Sequence, residues 1–144
     1  MAVSKTALII GISGQDGSYL AASLLAKGYA VHGTSRDKEL ANFANLRTLG
    51  IFDRVRLHSA TVTDFRSVVQ VIRETQPAEI YNLSAQSSVG LSFTQPVETL
   101  DSVIFGTLNL LEAMRFLGAD IRYYSASSSE CFGVTPKHSL DDAL

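Results

Sequence analysis

Few folds accommodate the order met at the start of this chain: the apolar run Ala7-Leu8-Ile9-Ile10, then Gly11-Ile12-Ser13-Gly14-Gln15-Asp16-Gly17, then the helix-like run Tyr19 to Leu25. Strand, glycine turn and helix in this order build an anion site. Gly11 allows a tight turn off the strand, Gly14 removes a Cβ that would block a pyrophosphate, and Gly17 lets the helix pack closely on the sheet. The start of the helix leaves backbone N–H groups without intrahelical partners, and an anion satisfies them. Three glycines at this spacing also suit a tight turn with no ligand, so the surrounding chain has to decide.

Apolar periodicity switches between strand and helix templates along all 144 residues, with no internal repeat, low-complexity tract or linker. Gly28 ends the first helix and Ala30 to Ser35 reads as a second strand. Leu40, Phe43, Leu46 and Leu49 predict a second helix closed by Gly50, and Val55 to Ser59 a third strand. Phe65, Val68, Val69 and Ile72 mark one face of a third helix, capped at Thr63-Asp64 and stopped at Pro77. Glu79 to Leu83 is a fourth strand, followed by a polar loop from Ser84 to Gln95. Pro96 opens a long helix with Val97, Leu100, Ile104, Leu108 and Leu111 on one stripe, and Ile121 to Ser125 is a fifth strand.

Strands alternating with helices predict an α/β domain: a parallel sheet of Rossmann type with helices on both faces and strand order 3-2-1-4-5. Ligands in such sheets bind beyond the carboxyl ends of the strands, near the switch point between strands one and four. Gly11 to Gly17, Ser35-Arg36, Leu83 to Ser87 and Ser125 to Glu130 all follow a strand and converge on that crevice. At the end of strand two, Arg36 suits the 2′-phosphate of NADP; the alternative is a solvated arginine, with Asp37 bonding the ribose.

Hydrophobic residues make up 46% of the chain and charged residues 18%, as in a packed domain, and the formal charge of −2 gives no footprint for nucleic acid. The apolar runs are too short to span a bilayer, and the single cysteine, Cys131, forms no internal disulfide, so a cytoplasmic protein without a membrane partner is expected. His32, His58 and His138 lack metal-ligand spacing, and no metal is expected.

The segments Gly11 to Leu20, Glu79-Ile80-Tyr81-Asn82-Leu83-Ser84-Ala85-Gln86-Ser87 and Ser127-Ser128-Ser129-Glu130 resemble the GDP-mannose 4,6-dehydratase family of the extended short-chain dehydrogenase/reductases. The resemblance runs through essentially the whole chain. It implies a pyrophosphate held by Gly11, Ile12, Ser13, Gly14, Gln15 and Asp16, with Arg36 on the 2′-phosphate. Thr61 and Val62 would stand beside the adenine, and Leu83, Ser84, Ala85, Gln86 and Ser87 would line the cofactor trough. Ser128 and Glu130 match the family's catalytic threonine and glutamate, NADP is the implied cofactor and GDP-mannose the implied substrate. The family commonly forms homo-oligomers through helices of this domain.

The residue types suit that chemistry. A hydroxyl such as Ser128 hydrogen-bonds a C4 oxygen passing between alcohol and ketone, and a carboxylate such as Glu130 takes a carbon-bound proton acidified by that ketone. Polar turns after strands also use such residues. Thr61 stands where the family has an aspartate, Ser128 replaces threonine, and Glu98 stands where a tyrosine is frequent. The family's Tyr-x-x-x-Lys pair does not occur after Glu130, so residues 1–144 are expected to be an incomplete, catalytically inert cofactor domain. A related epimerase or reductase, and a non-catalytic NADP-binding module, are the competing readings.

Overall fold

The computed structural model describes residues 5–84 and 89–127. Five strands, β1 (Thr6–Ile10), β2 (Ala30–Ser35), β3 (Arg56–Ser59), β4 (Glu79–Asn82) and β5 (Arg122–Ser125), form one sheet in the order β3-β2-β1-β4-β5. Every pairing is parallel, with Ile10 opposite Thr34 on one side and Asn82 on the other. The expected strand order and α/β class are therefore observed. Ala7, Leu8, Ile9 and Ile10 are all buried, because β1 lies at the centre of a sheet covered on both faces.

The two cores follow the alternation of side chains along the strands. Ala7, Ile9, Val31 and Ile12 pack against Ala21 and Leu24 of α1 (Gln15–Ala26) and Leu46 of α2 (Ala44–Thr48). Leu8, Ile10 and Ile80 pack on the other face against Val68, Val71 and Ile72 of α3 (Phe65–Thr75). Leu110 and Ala113 of a 22-residue helix, Pro96–Leu117, complete that second core. Each large aliphatic side chain buried in this way contributes about 1.5–3 kcal/mol.

Local chemistry sets the helix ends. Asp64 caps α3 by accepting the Arg66 N–H at 3.1 Å, and Gln76 ends it in the left-handed region at φ 42° before Pro77. The expected second helix is shorter than its apolar spacing suggests, and Leu40 is 85% exposed. Asp37 Oδ1 accepts the N–H groups of Glu39 and Leu40, and Asn42 Oδ1 accepts that of Ala44; these side-chain turns replace the first helical turns.

The expected loop from Ser84 to Gln95 contains a short helix, α4 (Val89–Thr94), so the longer helix Pro96–Leu117 is α5. Residues 85–88 of that loop lie outside the described residues. The expected apolar stripe of α5 lies on its outer face. Val97, Leu100, Ile104, Leu108 and Leu111 are 44–71% exposed, while Gly106, Leu110 and Ala113 face the core. The helix comes so near the β3–α3 connection that a Cβ on Gly106 would stand 2.9 Å from Val62 Cγ2, and Met114 and Leu117 pack on the same face further along.

Candidate functional site

The turn between β1 and α1 is fixed by backbone contacts. Gly11 has φ +86°, and a Cβ there would lie 2.9 Å from the Leu83 carbonyl oxygen at the end of β4. A Cβ on Gly17 would stand 2.5 Å from the Gly11 carbonyl oxygen and 2.8 Å from Ile12 Cα. Both obstacles are main chain and cannot swing aside, so the fold itself requires these two glycines.

Gly14 is different. It is exposed, opens α1 as its N-cap with no side-chain cap, and a Cβ there would meet only the Gly11 carbonyl oxygen, at 3.4 Å. Packing within the chain leaves room for a side chain at this position. A group lying over the start of α1 would not, and the exposed N-terminus of a 12-residue helix carries the partial positive charge that an anion seeks. The residues present therefore fit a bound pyrophosphate.

The neighbours of the turn support it in unequal ways. Ile12 is fully buried in the core, which confines what it offers a ligand to its backbone. The Ser13 carbonyl accepts Asn45 Nδ2 at 3.2 Å, a tie to α2 that no local pattern announces. Gln15 and Asp16 are exposed in the first turn of α1, and Ser18 Oγ donates to the Gln15 carbonyl at 2.7 Å.

Because all five strands are parallel, the segments after β1, β2, β3 and β4 emerge at one edge of the sheet. Arg36 follows β2 with an exposed guanidinium whose Nη1 stands 3.2 Å from Glu98 Oε1, at the start of α5. Asp37 turns its Oδ1 back onto local N–H groups, which leaves Arg36 as the residue of that pair directed across the crevice. Thr61 and Val62 are half-buried after β3; the Thr61 N–H donates to Ser67 Oγ at 3.0 Å and the Val62 carbonyl accepts Asn109 Nδ2 at 2.9 Å.

At the end of β4, Asn82 Oδ1 accepts Ser84 Oγ at 2.7 Å and the Ser84 N–H at 3.2 Å, while Asn82 Nδ2 donates to Tyr123 Oη at 3.2 Å. This ties Leu83-Ser84, and so the wall behind Gly11, to β5. Ala85, Gln86 and Ser87, and the expected catalytic pair Ser128 and Glu130, lie outside the described residues, as do Cys131 and His138.

Two polar clusters lie elsewhere. His32 on β2 and His58 on β3 stack with ring centroids 5.1 Å apart, and His32 Nδ1 lies 2.9 Å from His58 Nε2. Burial pushes both imidazoles below their usual range, and each is lowered further by neighbouring positive charge. Glu74 of α3, 3.8 Å from His58 Nδ1, opposes the effect on His58. His58 also lines a cleft of about 450 Å³ between β3 and α3, to which no residue of the glycine turn contributes.

Near the other end of the strands, Glu79 is buried and accepts Tyr81 Oη at 2.8 Å and Tyr29 Oη at 3.3 Å, with Arg122 Nη1 3.6 Å away. Burial and this carboxylate push the Tyr81 hydroxyl up to about 12. Among the described residues no group of three or more His, Cys, Asp or Glu is placed to hold a metal, and no helix is long and apolar enough to cross a membrane.

Fold and turn together define a Rossmann-type α/β domain with a glycine-rich strand-to-helix turn at its switch point. Residues 8–143 match the GDP-mannose 4,6 dehydratase family, and the chain belongs to that family. It is 46% identical over 137 residues to the GDP-mannose 4,6-dehydratase of Vibrio cholerae serotype O1, and 44% identical over 137 residues to the human protein of that name. Each alignment covers 90% of this chain and 37% of the relative, so the chain spans little more than a third of their length.

Among solved structures, the UDP-glucose 4-epimerase of Thermus thermophilus, in complex with NAD, is 29% identical with a TM-score of 0.68 over 79% of this chain and 35% of that one. The Thermotoga maritima UDP-glucose 4-epimerase shares the fold at 22% identity, with a TM-score of 0.77 over 92% of this chain and 41% of its own.

Proposed function

We propose that residues 1–144 form the cofactor-binding part of a cytoplasmic enzyme converting GDP-mannose to its 4-keto-6-deoxy product. The observation that carries this reading is Gly14. It is a glycine that packing does not require, at an uncapped helix start on the switch point of a chain whose family is GDP-mannose 4,6 dehydratase. The backbone of Gly11 to Asp16 holds a pyrophosphate in this reading, and Arg36 pairs with the 2′-phosphate, which selects NADP over NAD. Thr61 and Val62 flank the adenine, and Leu83 to Ser87 line the cofactor trough in this reading.

Bound NADP would supply hydride acceptance at C4 of the sugar and hydride donation at C6. Ser128 hydrogen-bonds the C4 oxygen as it becomes a ketone. Glu130 would take the C5 proton that this ketone acidifies and give it to the departing C6 hydroxyl, which leaves as water, while the proton released by the C4 hydroxyl, held by a base outside these residues, would return to C5 as hydride adds at C6. The net change is loss of water with no net oxidation. The exposed apolar stripe of α5 supports assembly of the full protein as a homo-oligomer through this helix.

Isothermal titration of NADP into the 144-residue chain tests the cofactor assignment. Gly14→Ala is expected to weaken binding by at least about tenfold while costing about 1 kcal/mol or less of stability. Unchanged affinity in the folded variant contradicts the assignment. With GDP-mannose, the 144-residue chain is expected to yield no 4-keto sugar, because the family's Tyr-x-x-x-Lys pair does not occur after Glu130. Turnover by this chain would overturn that division of labour.

A further inference from the structure

We infer that Glu98 sets how strongly this site prefers a 2′-phosphorylated dinucleotide, by competing with the phosphate for Arg36. The inference rests on the proposed role of Arg36 and adds to it a second residue, from an element on the far side of the switch point.

Arg36 stands directly after β2, and Glu98 lies in the first turn of α5, which follows β4; 62 residues separate them in sequence. Their contact, Nη1 to Oε1 at 3.2 Å, therefore runs from the β2 side of the sheet edge to the β4 side. The adenosine half of a dinucleotide lies on the β2 side in this class of fold. Both side chains are largely exposed, at 83% and 61%, and an ion pair so exposed adds little to stability. Packing of Leu110 and Ala113 anchors α5, and the ion pair is free to serve another purpose.

A phosphate pairing with the Arg36 guanidinium would enter within a few ångströms of the Glu98 carboxylate. It must then displace Glu98 or share the guanidinium with it, and in either case two negative groups face each other. A dinucleotide with a free 2′-hydroxyl brings no such charge. Glu98 thus lowers affinity for the phosphorylated cofactor selectively and leaves the other nearly untouched. Asp37 does not duplicate this effect, because its Oδ1 is engaged by the N–H groups of Glu39 and Leu40; Lys38 is in loose contact with Glu39 at 3.9 Å.

The test is isothermal titration of NADP and NAD into the wild-type chain, Glu98→Gln and Arg36→Gln at low and high salt, with circular dichroism confirming the fold of each. Glu98→Gln is expected to tighten NADP about three- to tenfold at low salt, less at high salt, and to change NAD less than about twofold. Arg36→Gln is expected to weaken NADP and spare NAD. Loss of NADP affinity in Arg36→Gln without a changed NADP-to-NAD ratio in Glu98→Gln overturns the inference and leaves the cofactor reading standing. Unchanged NADP affinity in Arg36→Gln, or binding of neither dinucleotide to the wild type, overturns the reading of Arg36 and the inference with it.

Discussion

Helices α1 and α5 both pack on the same parallel sheet, both carry apolar residues at helical spacing, and they differ in what they leave exposed. In α1 the residues that face inward are small near the turn and larger beyond it, Gly17, Ser18, Ala21 and Leu24, with Leu20, Ala22 and Leu25 partly buried beside them, and Tyr19 is the one large apolar residue left exposed. In α5 the inward face is Gly106, Leu110 and Ala113, while the large residues Leu100, Ile104, Leu108 and Leu111 stay exposed. A helix reaches the sheet through whichever face lets the backbones approach, and size decides that face as much as hydrophobicity does. The exposed stripe of α5 is a second apolar surface in addition to the one the core uses.

The comparison breaks most readily at Gly17. Gly17→Ala drives a Cβ into main-chain atoms of the turn and is expected to cost more than about 4 kcal/mol, read as a collapse of the urea unfolding midpoint. Leu110→Ala empties the inward face of α5 and is expected to cost about 2–5 kcal/mol, while Leu108→Ala, two residues away on the exposed stripe, should stay within about 0.5 kcal/mol in the monomer. Equal losses at Leu110 and Leu108 would remove the distinction between the two faces of α5.

Titration separates the two sides of the sheet by smaller effects. His32 and His58, on the side of α3 and α5, have folded values below the ordinary imidazole range, so the unfolded chain binds more protons on acidification. Their contribution is complete above an ordinary histidine pKa of about 6.5 and is lost as pH falls through the depressed folded values. Tyr81, against the α1 side, is raised from 10.0 to about 12. Its contribution is complete below 10.0 and is lost as pH rises through about 12. Thermal melts across pH should therefore show an acid limb that His58→Gln flattens and an alkaline limb that Tyr81→Phe flattens. Unchanged limbs in these variants would contradict both assignments.

Much of this was legible in the chain and the remainder was not, for identifiable reasons. The buried run Ala7 to Ile10 and the glycines after it announce a central parallel strand and its turn, because burial on both faces leaves no polar alternation to confuse the reading. The direction of the α5 stripe was not legible, because periodicity records where apolar residues lie and says nothing about what covers them. The second helix shrank because Asp37 and Asn42 turn their side chains onto nearby N–H groups, a local competition that apolar spacing does not register. The His32–His58 pair and the Arg36–Glu98 contact join residues 26 and 62 positions apart, and only the strand order brings them together. The roles of Ser128 and Glu130 rest on family membership and on residue chemistry alone.

The most direct test of the cofactor site is an amide NMR titration of the 15N-labelled chain with NADP. Shifts concentrated at Gly11 to Asp16, Arg36, Thr61 and Val62, saturating together, are the predicted result. Saturating shifts confined to the cleft around His58 and Arg66, with the glycine turn unmoved, would contradict it.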